Sequence, residues 1–175
     1  MKNILALKKK SQFDPDIHKR YRASACGPVT AYTILDYYFP NHFQDINQLY
    51  KRLGGTAIGL FTWRFVRNLA KILGDDWVVA ACSIEEVKRQ IDKGNPVAAK
   101  FDKWFRWKWR GRYSFDYHWV PVVGYEECEY GLMLFIHDNG SKNRPCQIRK
   151  VPYAPNRDIL TFVKVYKKIR QQDDL

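Results

Sequence analysis

A thiol, an imidazole and a carboxylate in this sequence have the types and order that nucleophilic acyl chemistry requires: Cys26, His118 and Asp138. Cys26 stands in Ala25-Cys26-Gly27-Pro28-Val29, directly before a helix-forming run that ends at Tyr38. At a helix start a sulfur lies near unpaired backbone N–H groups and the positive end of the helix dipole, which favours the thiolate. A free cysteine is more often an inert core residue, so this one gains meaning only if the chain supplies a base.

Two strand-like segments offer one. Period-two alternation puts His118 on the face of Val120 and Val122, opposite Tyr117 and Trp119. A histidine among such neighbours is either a satisfied core residue or a base. In the next segment Leu132, Leu134, Ile136 and Asp138 share a face, and Met133, Phe135 and His137 share the other. Asp138 therefore ends an apolar stripe just before Asn139-Gly140. It is either a turn residue bonding its own backbone or, if the two strands are neighbours, the acceptor that orients His118. In the second case the imidazole takes the thiol proton and the carboxylate steadies the imidazolium.

The elements that must position these groups divide the chain in two. The first half reads as helices: Gly27 to Tyr38, then Ile46 to Leu53 capped by Asp45 and closed at Gly54-Gly55, then Trp63 to Leu73 closed by Gly74. A buried strand, Trp77 to Ala81, and a capping-box helix from Ser83-Ile84-Glu85-Glu86 to Lys93-Gly94 follow. From Pro96 onward β-rich runs dominate: Val97 to Phe101, Trp104 to Trp109, Arg112 to Tyr125, Leu132 to Asp138, Gln147 to Tyr153 and Leu160 to Lys168. This order predicts an α+β fold in a single domain over 1–175, a helical lobe over 12–95 against an antiparallel sheet over 96–168.

The most regular alternation surrounds Arg110-Gly111 and predicts a hairpin with an aromatic and a polar face. Its basic residues, Lys100, Lys103, Arg106, Lys108, Arg110 and Arg112, adjoin Trp104, Trp107 and Trp109. Aromatic pairs that stabilise a ribbon explain this pattern. So does a surface over residues 100–112 for an anionic partner, single-stranded nucleic acid or an acidic polypeptide.

Composition sets the outer bounds. The 175 residues carry a net charge of +12, and a hydrophobic fraction of 46% with 15% aromatic residues supports one packed core. Cys26, Cys82, Cys128 and Cys146 lack metal-ligand spacing, so neither a metal nor another cofactor is expected. The apolar run before Lys8-Lys9-Lys10 is too short for a signal peptide and no later stretch is long enough to span a bilayer, so a cytoplasmic protein with reduced thiols is expected. Oligomeric state is left open.

Ala25-Cys26-Gly27-Pro28-Val29-Thr30-Ala31, Tyr117-His118-Trp119-Val120-Pro121-Val122-Val123-Gly124-Tyr125 and Phe135-Ile136-His137-Asp138-Asn139-Gly140 resemble the three catalytic blocks of papain-like cysteine peptidases of the bacteriocin-processing type, which act on double-glycine leaders. The resemblance spans residues 10 to 140 and implies a papain-like fold with the cysteine on the helical lobe and the histidine and acid on the sheet. It implies a peptide or protein substrate, Cys26 as nucleophile, His118 as base and Asp138 as its orienter. Such enzymes usually carry an oxyanion-stabilising glutamine a few residues before the cysteine, where this chain has Lys19-Arg20-Tyr21-Arg22. Gln12, in Ser11-Gln12-Phe13-Asp14, resembles the upstream block if Pro15 to Ser24 is an inserted loop; otherwise it is a surface residue. The leading expectation is a hydrolase that cleaves a peptide or isopeptide amide through a thioacyl-enzyme, with transfer to another acceptor using the same residues. The alternative is a basic, aromatic binding module on the same scaffold.

Overall fold

A computed structural model of the chain describes residues 4–42, 45–106, 108 and 110–168. Its first three helices are α1 (Cys26–Tyr38), α2 (Ile46–Leu53) and α3 (Thr62–Leu73). Asp45 caps α2 by accepting from the Asn47 and Gln48 N–H groups, and Gly54, at φ 76°, closes it in the left-handed conformation that favours glycine. A strand, β1 (Trp77–Cys82), leads into α4 (Ile84–Asp92), whose first turn is capped by Ser83 Oγ accepting from Glu86 N. The remaining strands are β2 (Val97–Asp102), β3 (Tyr117–Cys128), β4 (Gly131–Asp138), β5 (Gln147–Pro152) and β6 (Leu160–Lys167).

The strands form one six-stranded sheet in the order β1-β6-β2-β3-β4-β5, and every neighbouring pair is antiparallel. One face packs on the helical lobe: Ala98, Trp119, Val163 and Val165 meet Val29, Ile34 and Leu35 of α1 and Phe65 and Leu69 of α3. The Phe65 and Trp119 rings stack there with centroids 4.6 Å apart. The other face carries Val97, Ala99, Val120, Val122, Leu134 and Ile136 against Val87 and Ile91 of α4. The α+β architecture expected from the sequence is the one observed.

Two expectations need correction. The predicted ribbon around Arg110-Gly111 is not found among the described residues: β2 ends at Asp102, β3 begins at Tyr117, and the described residues between them hold no strand. A two-stranded ribbon projecting past the sheet would have no layer to cover its aromatic face, and such a hairpin is marginal in water. Instead Asp102 Oδ1 accepts from Phe105 N at 3.0 Å, turning the chain out of β2, and Lys103 N bonds Asp116 O at 2.9 Å where it returns. Trp107 and Trp109 lie outside the described residues. Second, the sheet begins before residue 96, because β1 covers the free edge of β6 from Trp77↔Lys167 to Cys82↔Phe162.

Gly27 sets how closely the two layers approach. A Cβ built on it would lie 2.8 Å from Leu60 Cβ and 3.2 Å from Trp119 Cδ1. Helix propensity favours alanine over glycine by about 1 kcal/mol. Gly27→Ala should nevertheless lower stability by about 1–3 kcal/mol, because the close-packed Leu60 and Trp119 must shift. Urea denaturation checks this, and an unchanged or higher midpoint would refute the proposed constraint.

Candidate active site

Cys26 is the first residue of α1 and is 4% exposed. Ala25, at the N-cap, brings no side-chain acceptor to the first turn of α1. Pro28 has no N–H to satisfy and its fixed φ suits a first turn.

His118 enters from the start of β3. Its Nε2 lies 3.1 Å from Asp138 Oδ1, and both side chains are buried. The Cys26 thiol is near enough to the imidazole to act on its charge. Burial alone would lower the His118 pKa, but Asp138 and Cys26 outweigh it and lift the value to about 9. The net effect favours the imidazolium.

Asp138 has a full set of donors. Oδ1 accepts from His118 and from Gly140 N at 3.1 Å; Oδ2 accepts from Arg144 at 2.8 Å and Arg149 at 3.0 Å. Burial pushes its pKa up, and the bonds to His118 and Arg149 pull it well below the ordinary carboxylate range. Oδ1 thus meets both the imidazole and the chain's own backbone after the strand end, while Oδ2 meets the two guanidiniums.

Gln12 is buried rather than on the surface. Its backbone N bonds Asn139 O at 3.1 Å and its Nε2 bonds Arg22 O at 3.0 Å, so the loop between Pro15 and Ser24 returns it to the start of α1. One amide hydrogen is used on Arg22; Oε1 is buried without a partner. All four residues singled out in the sequence thus converge on one place.

Sequence reasoning missed Asn139, read there only as part of a turn. Its Nδ2 lies 3.1 Å from Cys26 O, 3.0 Å from Thr30 Oγ1 and 2.9 Å from Trp119 O. It also missed Arg144 and Arg149, which β5 and the turn before it bring to the carboxylate. His137 is 1% exposed, and burial lowers its pKa. Tyr117 adds a further constraint: Leu60 N donates to its hydroxyl, which donates back to Leu60 O. Burial pushes the Tyr117 pKa above its ordinary value.

The family model described as Peptidase_C39 like matches residues 4–174. The chain belongs to the Peptidase_C39 like family. Among solved structures it is similar to a candidate C39-like peptidase from Bacillus anthracis, with a TM-score of 0.67 and 15% identity, covering 97% of this chain and 100% of that one. No curated protein matches. Membership of the C39-like family agrees with the papain-like division read from the sequence, with the thiol on the helical lobe and the imidazole and acid on the sheet. No helix among the described residues is long and apolar enough to cross a membrane.

Part of the basic segment over 100–112 is engaged within the fold, while Lys108, Arg110 and Arg112 are exposed. Lys100 and Asp102 are buried and paired at 2.6 Å, Lys103 pairs with Asp116 at 2.6 Å, and Arg106 bonds Thr161 Oγ1 at 2.6 Å.

The raised pKa of His118 ties stability to pH. A folded value above the ordinary 6.5 means the contribution is complete below about 6.5 and is lost as pH rises through about 9. Asp138 works in the opposite sense: its contribution is present above its ordinary 3.8 and is lost on acidification. Replacing Asp138 by Asn should lower the His118 midpoint by roughly 1–3 pH units, the effect of losing a charged neighbour. Ring-nitrogen NMR titration measures it, and an unmoved midpoint would show that the carboxylate does not set the imidazole's charge.

Proposed function

We propose that the protein is a cysteine hydrolase that cleaves a peptide or isopeptide amide through a thioacyl-enzyme. The observation that carries this reading is the buried His118 ring held between Cys26 and Asp138, with Nε2 3.1 Å from the carboxylate. In this reading the Cys26 sulfur, its proton on His118, attacks the substrate carbonyl carbon. The carbonyl oxygen becomes an oxyanion, which the Cys26 backbone N–H and the free amide hydrogen of Gln12 stabilise. Collapse of this intermediate breaks the C–N bond while the imidazolium gives its proton to the departing amine. Neutral His118 then takes a proton from water, whose oxygen attacks the thioester; the acid product leaves and the thiol–imidazole pair is restored. An amine in place of water would give transfer instead of hydrolysis with no change in the residues used.

Asp138 is proposed as the orienter. Its charge keeps the ring in one tautomer and stabilises the imidazolium, while Arg144 and Arg149 hold the carboxylate in place.

Iodoacetamide labelling followed by peptide mapping tests the nucleophile. Cys82 is an internal control, because burial pushes its thiol up to about 11. Cys26 should be labelled at least about tenfold faster than Cys82 near neutral pH, with the advantage lost in His118→Ala. Equal rates in the folded wild-type protein would overturn the assignment.

Gln12→Ala tests the oxyanion donor. Cleavage of a mixed peptide library followed by mass spectrometry yields a substrate for kinetics. On it, kcat should fall by about 10²–10³-fold with KM little changed, since the bond forms in the transition state. A KM effect alone would make Gln12 a structural residue.

A further inference from the structure

A cavity of about 720 Å³ opens between the start of α3 and the ends of β1, β2 and β6, and neither the thiol nor the imidazole lines it. Phe61, Trp63 and Phe105 line it, and the last two are 55% and 53% exposed. Large rings left exposed around a concavity mark a binding surface. Phe61 and Phe105 are in edge contact, with centroids 5.7 Å apart, so the wall is preformed.

The charges of this cavity are unequal in availability. Lys100 and Asp102 lie in its buried part and satisfy each other at 2.6 Å; Asp102 also accepts from Phe105 N. The Lys100 ammonium lies 5.0 Å from the centroid of Tyr117 and 5.6 Å from that of Phe105, a further hold on the cation. Arg67 and Arg106 remain at the exposed mouth. Neither has a carboxylate partner among the described residues. Arg106 is tethered to Thr161 Oγ1 at 2.6 Å, and the Arg67 guanidinium lies 5.2 Å from the Trp63 centroid. A planar guanidinium held in place in this way is suited to a carboxylate.

The cavity is linked to the thiol by contact. Lys100 is against Tyr117, the residue before His118; the Tyr117 hydroxyl is held by the Leu60 backbone, and Leu60 closes over Gly27 beside Cys26. An extended peptide advances about 3.3 Å per residue, so a residue within a few positions of the scissile bond can reach it.

We propose that this cavity is a substrate subsite that binds a carboxylate of the peptide substrate between Arg67 and Arg106, with the adjoining apolar part of that residue or its neighbour on Phe61, Trp63 and Phe105. The proposal rests on the cysteine-hydrolase reading for its substrate class, and its test does not require turnover. Three probes are titrated into the Cys26→Ala protein, with tryptophan fluorescence as readout: N-acetyl-Phe-Glu-amide, N-acetyl-Phe-Gln-amide and N-acetyl-Phe-Gln with a free C-terminal carboxylate. At least one carboxylate probe should bind about fivefold or more tightly than the neutral probe, and the difference should vanish in Arg67→Gln/Arg106→Gln, whose substitutions are exposed. Preference for the first probe assigns an acidic side chain as the occupant; preference for the third assigns a chain terminus. Equal binding of all three, no binding, or a preference that survives the double substitution would overturn the subsite while leaving the Cys26 labelling result untouched. Conversely, an unreactive Cys26 beside intact carboxylate binding would overturn the hydrolase reading alone.

Discussion

Asn139 joins four stretches of chain that are distant in sequence, and the geometry around the thiol depends on that junction. Its side-chain amide donates to the carbonyl of Cys26, the hydroxyl of Thr30 and the carbonyl of Trp119, and its own carbonyl accepts from the backbone of Gln12. Two hydrogens serve three acceptors, so the bonds are shared, and all lie where water does not compete. The N-terminal segment, α1, β3 and β4 are thereby fixed at one point. Hydrophobic packing between the helical lobe and the sheet brings these elements together but is non-directional. Directional bonds of this kind set the relative positions of a sulfur on one layer and an imidazole on the other.

The carboxylate beside this junction is held by competing partners. Asp138 gives one oxygen to His118 and Gly140 and the other to two guanidiniums. The arginines neutralise part of its charge, which weakens its pull on the imidazolium. They also make it easier to keep a carboxylate ionised in a site fully removed from solvent. A buried acid with fewer donors would take up a proton and lose its hold on the ring. The same layer contact that creates the site also shapes its surroundings: Leu60 fits against Gly27 on one side and holds the Tyr117 hydroxyl on the other.

Much of this was legible in the residue pattern. Each helix has a stripe or a cap that local rules recognise: Asp45 at α2, Ser83 at α4, glycines after α2 and α3. The strand faces carrying His118 and Asp138 followed from period-two alternation, because a buried face admits one register only. The segment from Trp104 to Trp109 departs from its local pattern. Its alternation was as regular as any in the chain, yet a strand needs a partner and a covering layer. Asp102 ends β2 by accepting from Phe105 N, and the Phe105 ring lines a cavity instead.

The sequence by itself determined which groups exist and which way they point within their own elements: a thiol at a helix start, an imidazole on an inward strand face, a carboxylate at a strand end. Local backbone geometry fixes those directions, so neighbouring residues suffice to read them. Only the tertiary structure decided that Gln12 lies beside the start of α1 rather than at the surface, that Asn139 reaches across to Cys26 and Thr30, and that Arg144 and Arg149 complete the shell of Asp138. It also decided that Lys100 is spent on Asp102 while Arg67 and Arg106 stay open. Such partnerships form between residues brought together by sheet order and layer packing, and no period or spacing along the chain encodes them.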